Sequence, residues 1–211
     1  MADSSQSSTS TAEAPRAITD TPRARLIAAL ARSIEEKGYR DTTVADIVRI
    51  ARTSRRTFYE QFADRGACFL ALFEQVTQQK LELIASAVDP SAPLEEQIDS
   101  ALDAYIDGIS ADPELQRSFV FDLPSLSDAG ADRQRQVTEN YATLLVRLVD
   151  AARARHPEIV RPLSHDVALI LVGGLRELFV VGVHAGRDPR DLRAGSAEVV
   201  GALLMSLKTA G

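Results

Sequence analysis

The sequence predicts an all-α fold, with an N-terminal three-helix helix-turn-helix head followed by a helical body, about nine helices in total. Three observations carry that expectation. Apolar residues recur at three- and four-residue spacing along most of the chain, prolines divide it into pieces of helical length, and the composition is rich in alanine and leucine. With 211 residues, 45% of them hydrophobic, the chain can bury a substantial core in one or two domains. The divisions expected are an N-terminal arm at 1–20, the head at 21–66 and the body at 67–211.

Residues 1–20 are rich in Ser, Thr and Ala, lack an apolar stretch of signal-peptide length, and read as a disordered arm. The first helix is well marked. Thr21 is a plausible N-cap, Pro22 suits the first turn, Leu26, Ile27, Leu30, Ala31 and Ile34 fall at helical spacing, and Gly38 is expected to end it. Thr43 and Asp46 then stand at capping-box spacing before Val44, Ile47, Val48 and Ala51, a second, short helix. Arg52, Thr53 and Ser54 interrupt the apolar pattern. Ser54 is a good N-cap for a third helix, whose Phe58 and Phe62 recur at i, i+4. Arg55 and Arg56 open that helix on the face away from the phenylalanines, with Tyr59 one turn on. Cations at a helix N-terminus oppose the macrodipole at about 0.3–1 kcal/mol each, so helix stability does not ask for them. An external anion would. A helix entering the major groove by its N-terminal end aims such side chains at phosphates and base edges. The net charge of −6 divides accordingly: residues 1–66 hold eleven Lys and Arg against nine Asp and Glu, while 67–211 hold thirteen against twenty-one. Within 49–66, Arg49, Arg52, Arg55, Arg56 and Arg65 face only Glu60 and Asp64, a local footprint for phosphate. Arg16, Arg23 and Arg25 are within reach of a DNA backbone, but three scattered arginines read first as solvated, whereas Tyr39 and Thr42 are placed where phosphates approach.

The stretch from Thr43 to Arg65 resembles the DNA-binding domain of the TetR family of transcriptional regulators, through Thr43, Val44, Ile47, Ala51, Ser54, Thr57, Phe58, Tyr59, Phe62 and Arg65. The close match covers about residues 22–73. The resemblance implies a double-stranded DNA operator as partner, contacted through Thr43, Arg52, Thr53, Ser54, Arg55, Arg56, Tyr59 and Arg65. The departures are Arg52 for the usual turn glycine, Arg65 for a lysine, Gly66 for an acidic residue and Cys68 for a leucine. At Arg52 a left-handed backbone costs a non-glycine residue roughly 1 kcal/mol.

Asp64 caps a long connector helix expected from about Arg65 to Val88, whose stripe runs through Phe69, Leu72, Phe73, Val76, Leu83, Ile84 and Val88. Cys68, the only cysteine, excludes an intramolecular disulfide and reads as a buried structural thiol. Further helices are expected at about 94–110, 113–122 and 128–155, separated by Pro90, Pro93, Asp112 and Pro124 and closed before Pro157. Residues 167–186 are apolar nearly all round, which argues for burial on more than one face. Arg176 and Glu177 at the middle argue against a membrane span. The final helix, about 188–208, is amphipathic through Leu192, Val199, Val200, Leu203, Leu204 and Leu207. Two such hairpins from two subunits make a four-helix bundle, in which Gly173, Gly174 and Gly182 allow close approach, and the resemblance implies this homodimer.

By resemblance the body holds a pocket for a small-molecule effector that releases the head from DNA, making the output repression in the cytoplasm. The residues watched for that pocket are Phe73, Tyr105, Phe119, Phe121, Tyr141, Arg176, Glu177 and Phe179. Catalysis is not expected: His165 and His184 stand roughly 28 Å apart by helical rise, and there is no metal-binding Cys/His spacing, phosphate-cradling glycine loop or nucleophile elbow. No cofactor or metal is called for. The alternative class is a helical protein-interaction module whose head does not bind DNA.

Overall fold

The computed structural model describes residues 21–126 and 128–205. The all-α expectation holds. The described residues form nine α-helices and two 3-10 turns, with a single isolated antiparallel bridge between Val160 and Met205. The arm at 1–20, with its Arg16, lies outside the described residues, as does Leu207.

Helix α1 spans Pro22–Asp41, and Thr21 Oγ1 accepts the Ala24 N–H at 3.1 Å to cap it. Gly38 ends the regular helix as expected: its φ of 78° turns the chain, and a last short turn follows behind it. That turn buries Tyr39 and Thr42. Tyr39 stacks on Phe69 with ring centroids 4.1 Å apart, and the Thr42 hydroxyl donates to the Gly38 carbonyl at 2.9 Å, so neither faces a phosphate. Helix α2 (Val44–Ile50) carries the expected capping box: Thr43 N–H donates to Asp46 Oδ2 at 2.9 Å, and Asp46 N–H returns to Thr43 Oγ1 at 3.2 Å. Ser54 caps α3 (Arg55–Gln61) through the Thr57 N–H at 3.0 Å. Between them Arg52 takes a φ of 50°, the only positive value at a non-glycine among the described residues.

Helix α4 (Arg65–Ala87), capped by Asp64 on the Ala67 N–H at 2.8 Å, runs roughly 34 Å from the head into the body. Its first half completes the core of the head: Leu26, Ile34, Ile47, Phe58, Cys68 and Phe69 belong to one buried cluster. Leu115, Phe119 and Leu123 from further along the chain join the same cluster, so it does not stop at the head. Cys68 is fully buried and its thiol is pushed up to about 12 by that burial, which suits a structural thiol. Leu83 departs from the expected stripe: its side chain is 56% exposed, because Lys80 and Ile84 take the inward positions of that turn.

The body comprises α5 (Leu94–Ser110), α6 (Pro113–Phe121), a 3-10 turn (Leu123–Ser125), α7 (Asp128–Arg155), α8 (His165–His184), a second 3-10 turn (Pro189–Leu192) and α9 (Arg193–Leu204). The last helix differs from the expected 188–208. Asp188 accepts the Arg190 N–H at 2.9 Å and Pro189 occupies the first turn, which tightens the start into the 3-10 turn. At the other end Met205 is extended and bridges to Val160. Gly182 is needed within the subunit, since a Cβ there would meet Leu192 Cδ1 at 2.8 Å, whereas Gly173 and Gly174 face open space.

The left-handed backbone at Arg52 yields a direct prediction. Arg52→Gly is expected to raise stability by up to about 1 kcal/mol, read as a higher urea midpoint at unchanged slope. A lower midpoint would mean that the turn stores no strain.

Candidate functional site

On the head, the candidate contact residues do different jobs. The hydroxyls of Thr43 and Ser54 are engaged in capping, and the Thr53 N–H donates to the Val48 carbonyl at 3.0 Å to close the turn. Lys37 Nζ stands 2.8 Å from Asp46 Oδ2; its bonds, with those from Thr43, hold the Asp46 carboxyl well below the usual carboxylate range. Arg56 is exposed, with Nε donating to Glu60 Oε1 at 3.0 Å. Arg55 and Arg52 are exposed and form no ion pair among the described residues. Tyr59 is 57% exposed on the same helix.

Arg65 is placed differently. Its guanidinium lies 4.3 Å from the Tyr39 ring centroid and donates through Nη1 to the carbonyls of Tyr39, Arg40 and Thr42. Those carbonyls cluster at the end of α1, where the Tyr39 carbonyl also accepts the Thr42 N–H at 3.2 Å, so Arg65 ties α1 to the start of α4. Arg23 likewise covers Phe62 at 4.5 Å instead of reaching outward.

Beneath the head, the faces of α4 to α9 line a partly open cavity of about 660 Å³, within the range typical of small-molecule sites. Six of the eight residues watched for a pocket line it: Phe73, Tyr105, Phe119, Tyr141, Arg176 and Phe179. Tyr105 meets Tyr141 and Phe179 edge-on, with centroids 5.9 and 5.3 Å apart, and burial raises its hydroxyl to about 12. Both tyrosines are therefore neutral donors at physiological pH.

Two residues do not line the cavity. Phe121 lies at the last turn of α6 and packs edge-on against His184 at 4.4 Å. Glu177 is 64% exposed in its side chain and sits one residue around α8 from Arg176, which turns it about 100° away from the cavity.

Lys80, Ser110 and Gln116 also line the cavity and were absent from the sequence reading. Lys80 Nζ donates to Gln116 Oε1 at 2.6 Å, and burial pushes its ammonium down to about 8 against the opposing field of Asp112. The signal available was its position: Val76, Lys80 and Ile84 stand at i, i+4, i+8 on the inward stripe of α4.

Residues 26–72 match the family model described as bacterial regulatory proteins, tetR family. That stretch of the chain is a TetR-family DNA-binding head. DNA binding is the role this match supports for the head. The TetR-family fold extends over the body. The fatty acid degradation regulator FadR from Bacillus halodurans superposes with a TM-score of 0.70 at 19% identity, over 85% of this chain and 94% of that one. FadR from Bacillus subtilis, solved in complex with stearoyl-CoA, gives 0.69 at 18% identity over 85% and 97%. A TetR-family transcriptional regulator from Pectobacterium atrosepticum gives 0.69 at 23% identity over 89% and 94%. No curated protein matches the chain.

Proposed function

We propose that this TetR-family protein is a ligand-responsive repressor that binds a palindromic operator as a homodimer and is released when a small molecule fills the cavity. The head at 21–66 reads DNA, and the body at 67–211 binds the effector and the second subunit. The observation that carries this reading is that α4 and α6 serve both ends. Phe119 of α6 lies 5.4 Å from Phe69 and 5.1 Å from Phe73, ring to ring, and Asp122 pairs with Arg40 of α1 at 2.8 Å. Phe73, Gln116 and Phe119 also line the cavity. A molecule that enlarges the cavity moves the helices on which the head is mounted. It acts only if it binds the DNA-incompetent arrangement better, since equal affinity for both shifts nothing. Stearoyl-CoA in the Bacillus subtilis FadR supports an effector with a long apolar part.

The dimer reading rests on the outer face of the last two helices. Ile170 and Val181 of α8 are 72% and 56% exposed and, with Gly174 and Leu178, form a stripe at helical spacing. On α9, Gly195, Val199 and Leu203 continue it. Helix α8 is apolar and long enough to cross a membrane by composition, with a mean hydropathy of 1.8, yet Arg176 and Glu177 interrupt it at mid-length. A second copy of this chain is the partner that buries such a stripe while leaving Glu177 at its edge and Arg176 on the cavity side.

Two measurements test the reading. Arg55→Ala is expected to weaken binding to a selected operator by roughly 1–3 kcal/mol if it reads a base, or to flatten the salt dependence by about one unit of slope if it contacts a phosphate; affinity and slope both unchanged would remove it from the interface. Leu203→Glu is expected to sediment as a monomer with native helicity. A stable dimer of that variant would take α9 out of the seam.

A further inference from the structure

We infer that the cavity is built for an amphiphile bearing a single carboxylate, with Lys80 and Ser110 holding the acid group and the apolar tail lying toward Leu94 and Leu204. This deepens the effector reading above and rests on it.

The cavity is chemically divided along its length. Helix α5 runs beside it from Leu94 to Ser110, about 24 Å by helical rise. Near the start of α5 the lining is mainly apolar, from Val88, Leu94, Ile98, Val149, Ala152 and Leu204, and the one amide there, Gln97, already donates to the Ala92 carbonyl at 2.8 Å. Near its end, where the Lys80 stem lies against Gly108, stand Lys80, Ser110 and Gln116. An entirely apolar ligand would leave the Ser110 hydroxyl without a partner and the Lys80 ammonium with Gln116 alone, at the cost of desolvated polar atoms.

The polar end has unused capacity. The Lys80 ammonium has three hydrogens, one goes to Gln116, and it forms no ion pair among the described residues. The Ser110 hydroxyl is buried and has no hydrogen-bond partner. Nearby acids do not fill the gap: Asp112 Oδ1 caps α6 on the Leu115 N–H at 2.9 Å, and Glu114 pairs with Arg117 at 3.7 Å. A lysine without a carboxylate and an idle hydroxyl, both lining the same cavity, match an acid group that accepts from both. The depressed ammonium fits a cation that is poorly compensated until such a group arrives.

The test is calorimetric titration of the purified full chain with dodecanoate, dodecanol and dodecanoyl-CoA, on the wild type and on Lys80→Met, Lys80→Arg and Ser110→Ala. The wild type is expected to bind dodecanoate more tightly than the alcohol or the CoA ester. Lys80→Met should weaken dodecanoate roughly tenfold or more while dodecanol is unchanged, Lys80→Arg should keep most of the preference, and Ser110→Ala should lose a smaller part of it. Equal binding of acid and alcohol, unchanged dodecanoate affinity in Lys80→Met, or tighter binding of the CoA ester than of the acid by the wild type would overturn the carboxylate assignment while the effector cavity stands. Binding of none of the three would overturn the effector cavity as well. The wild-type comparison of acid with alcohol decides the matter even if Lys80→Met does not fold.

Discussion

The rest of the molecule depends on the aromatic stack that joins Tyr39, Phe69, Phe119 and Phe73. Phe69 lies at its centre, 4.1 Å from Tyr39 and 5.4 Å from Phe119, and Phe119 meets Phe73 at 5.1 Å. Each such pair contributes about 0.5–1.5 kcal/mol beyond the area it buries. The rings come from α1, α4 and α6, so the head has no core separate from the helices that carry it. Arg65 closes the same joint from outside by binding the carbonyls at the end of α1. A head mounted this way moves with α4 and α6, and those are the helices that wall the cavity.

A close-packed joint also explains how a small change in a cavity reaches a surface some distance away. Packed interiors do not deform smoothly, because a shift of one ring displaces its neighbours or costs contacts. Phe73 and Phe119 are buried in the head's cluster and also line the cavity. The apolar end of the cavity, around Leu94 and Leu204, belongs to a second cluster with no residue of the head. A ligand that fills only that end lies against the body alone, while one that reaches Lys80 comes against α4 and α6.

Much of this was legible in the sequence where a local rule decides the outcome. The caps at Thr21, Thr43, Ser54 and Asp64 are short-range hydrogen bonds, and each forms as the residue pattern predicts. The positive φ at Arg52 was foreshadowed differently, by the glycine that the resembled family carries at that turn. Long-range placement was less so. Tyr39 and Arg65 looked like surface residues until Gly38 turned the chain and brought one under the other. Phe121 and Glu177 are set off the cavity by a single step of helical rotation, which a list of aromatic and charged residues does not resolve. Lys80 was missed because a lysine reads as surface unless its i, i+4 neighbours, Val76 and Ile84, are weighed first. The start of α9 was misplaced because Pro189 and Asp188 favour a tight 3-10 turn whose apolar Leu192 resembles the first residue of the helix beyond.

The central claim is that the head reads DNA as one half of a dimer. The most direct test is selection of bound fragments from a random duplex pool by the purified protein, with enriched sites titrated across a salt series and their stoichiometry determined. The account predicts an enriched inverted repeat, bound by two subunits, with affinity falling steeply as salt rises. Absence of any enriched sequence, with only weak binding that vanishes at moderate salt, would contradict it and turn the helical body toward a protein partner.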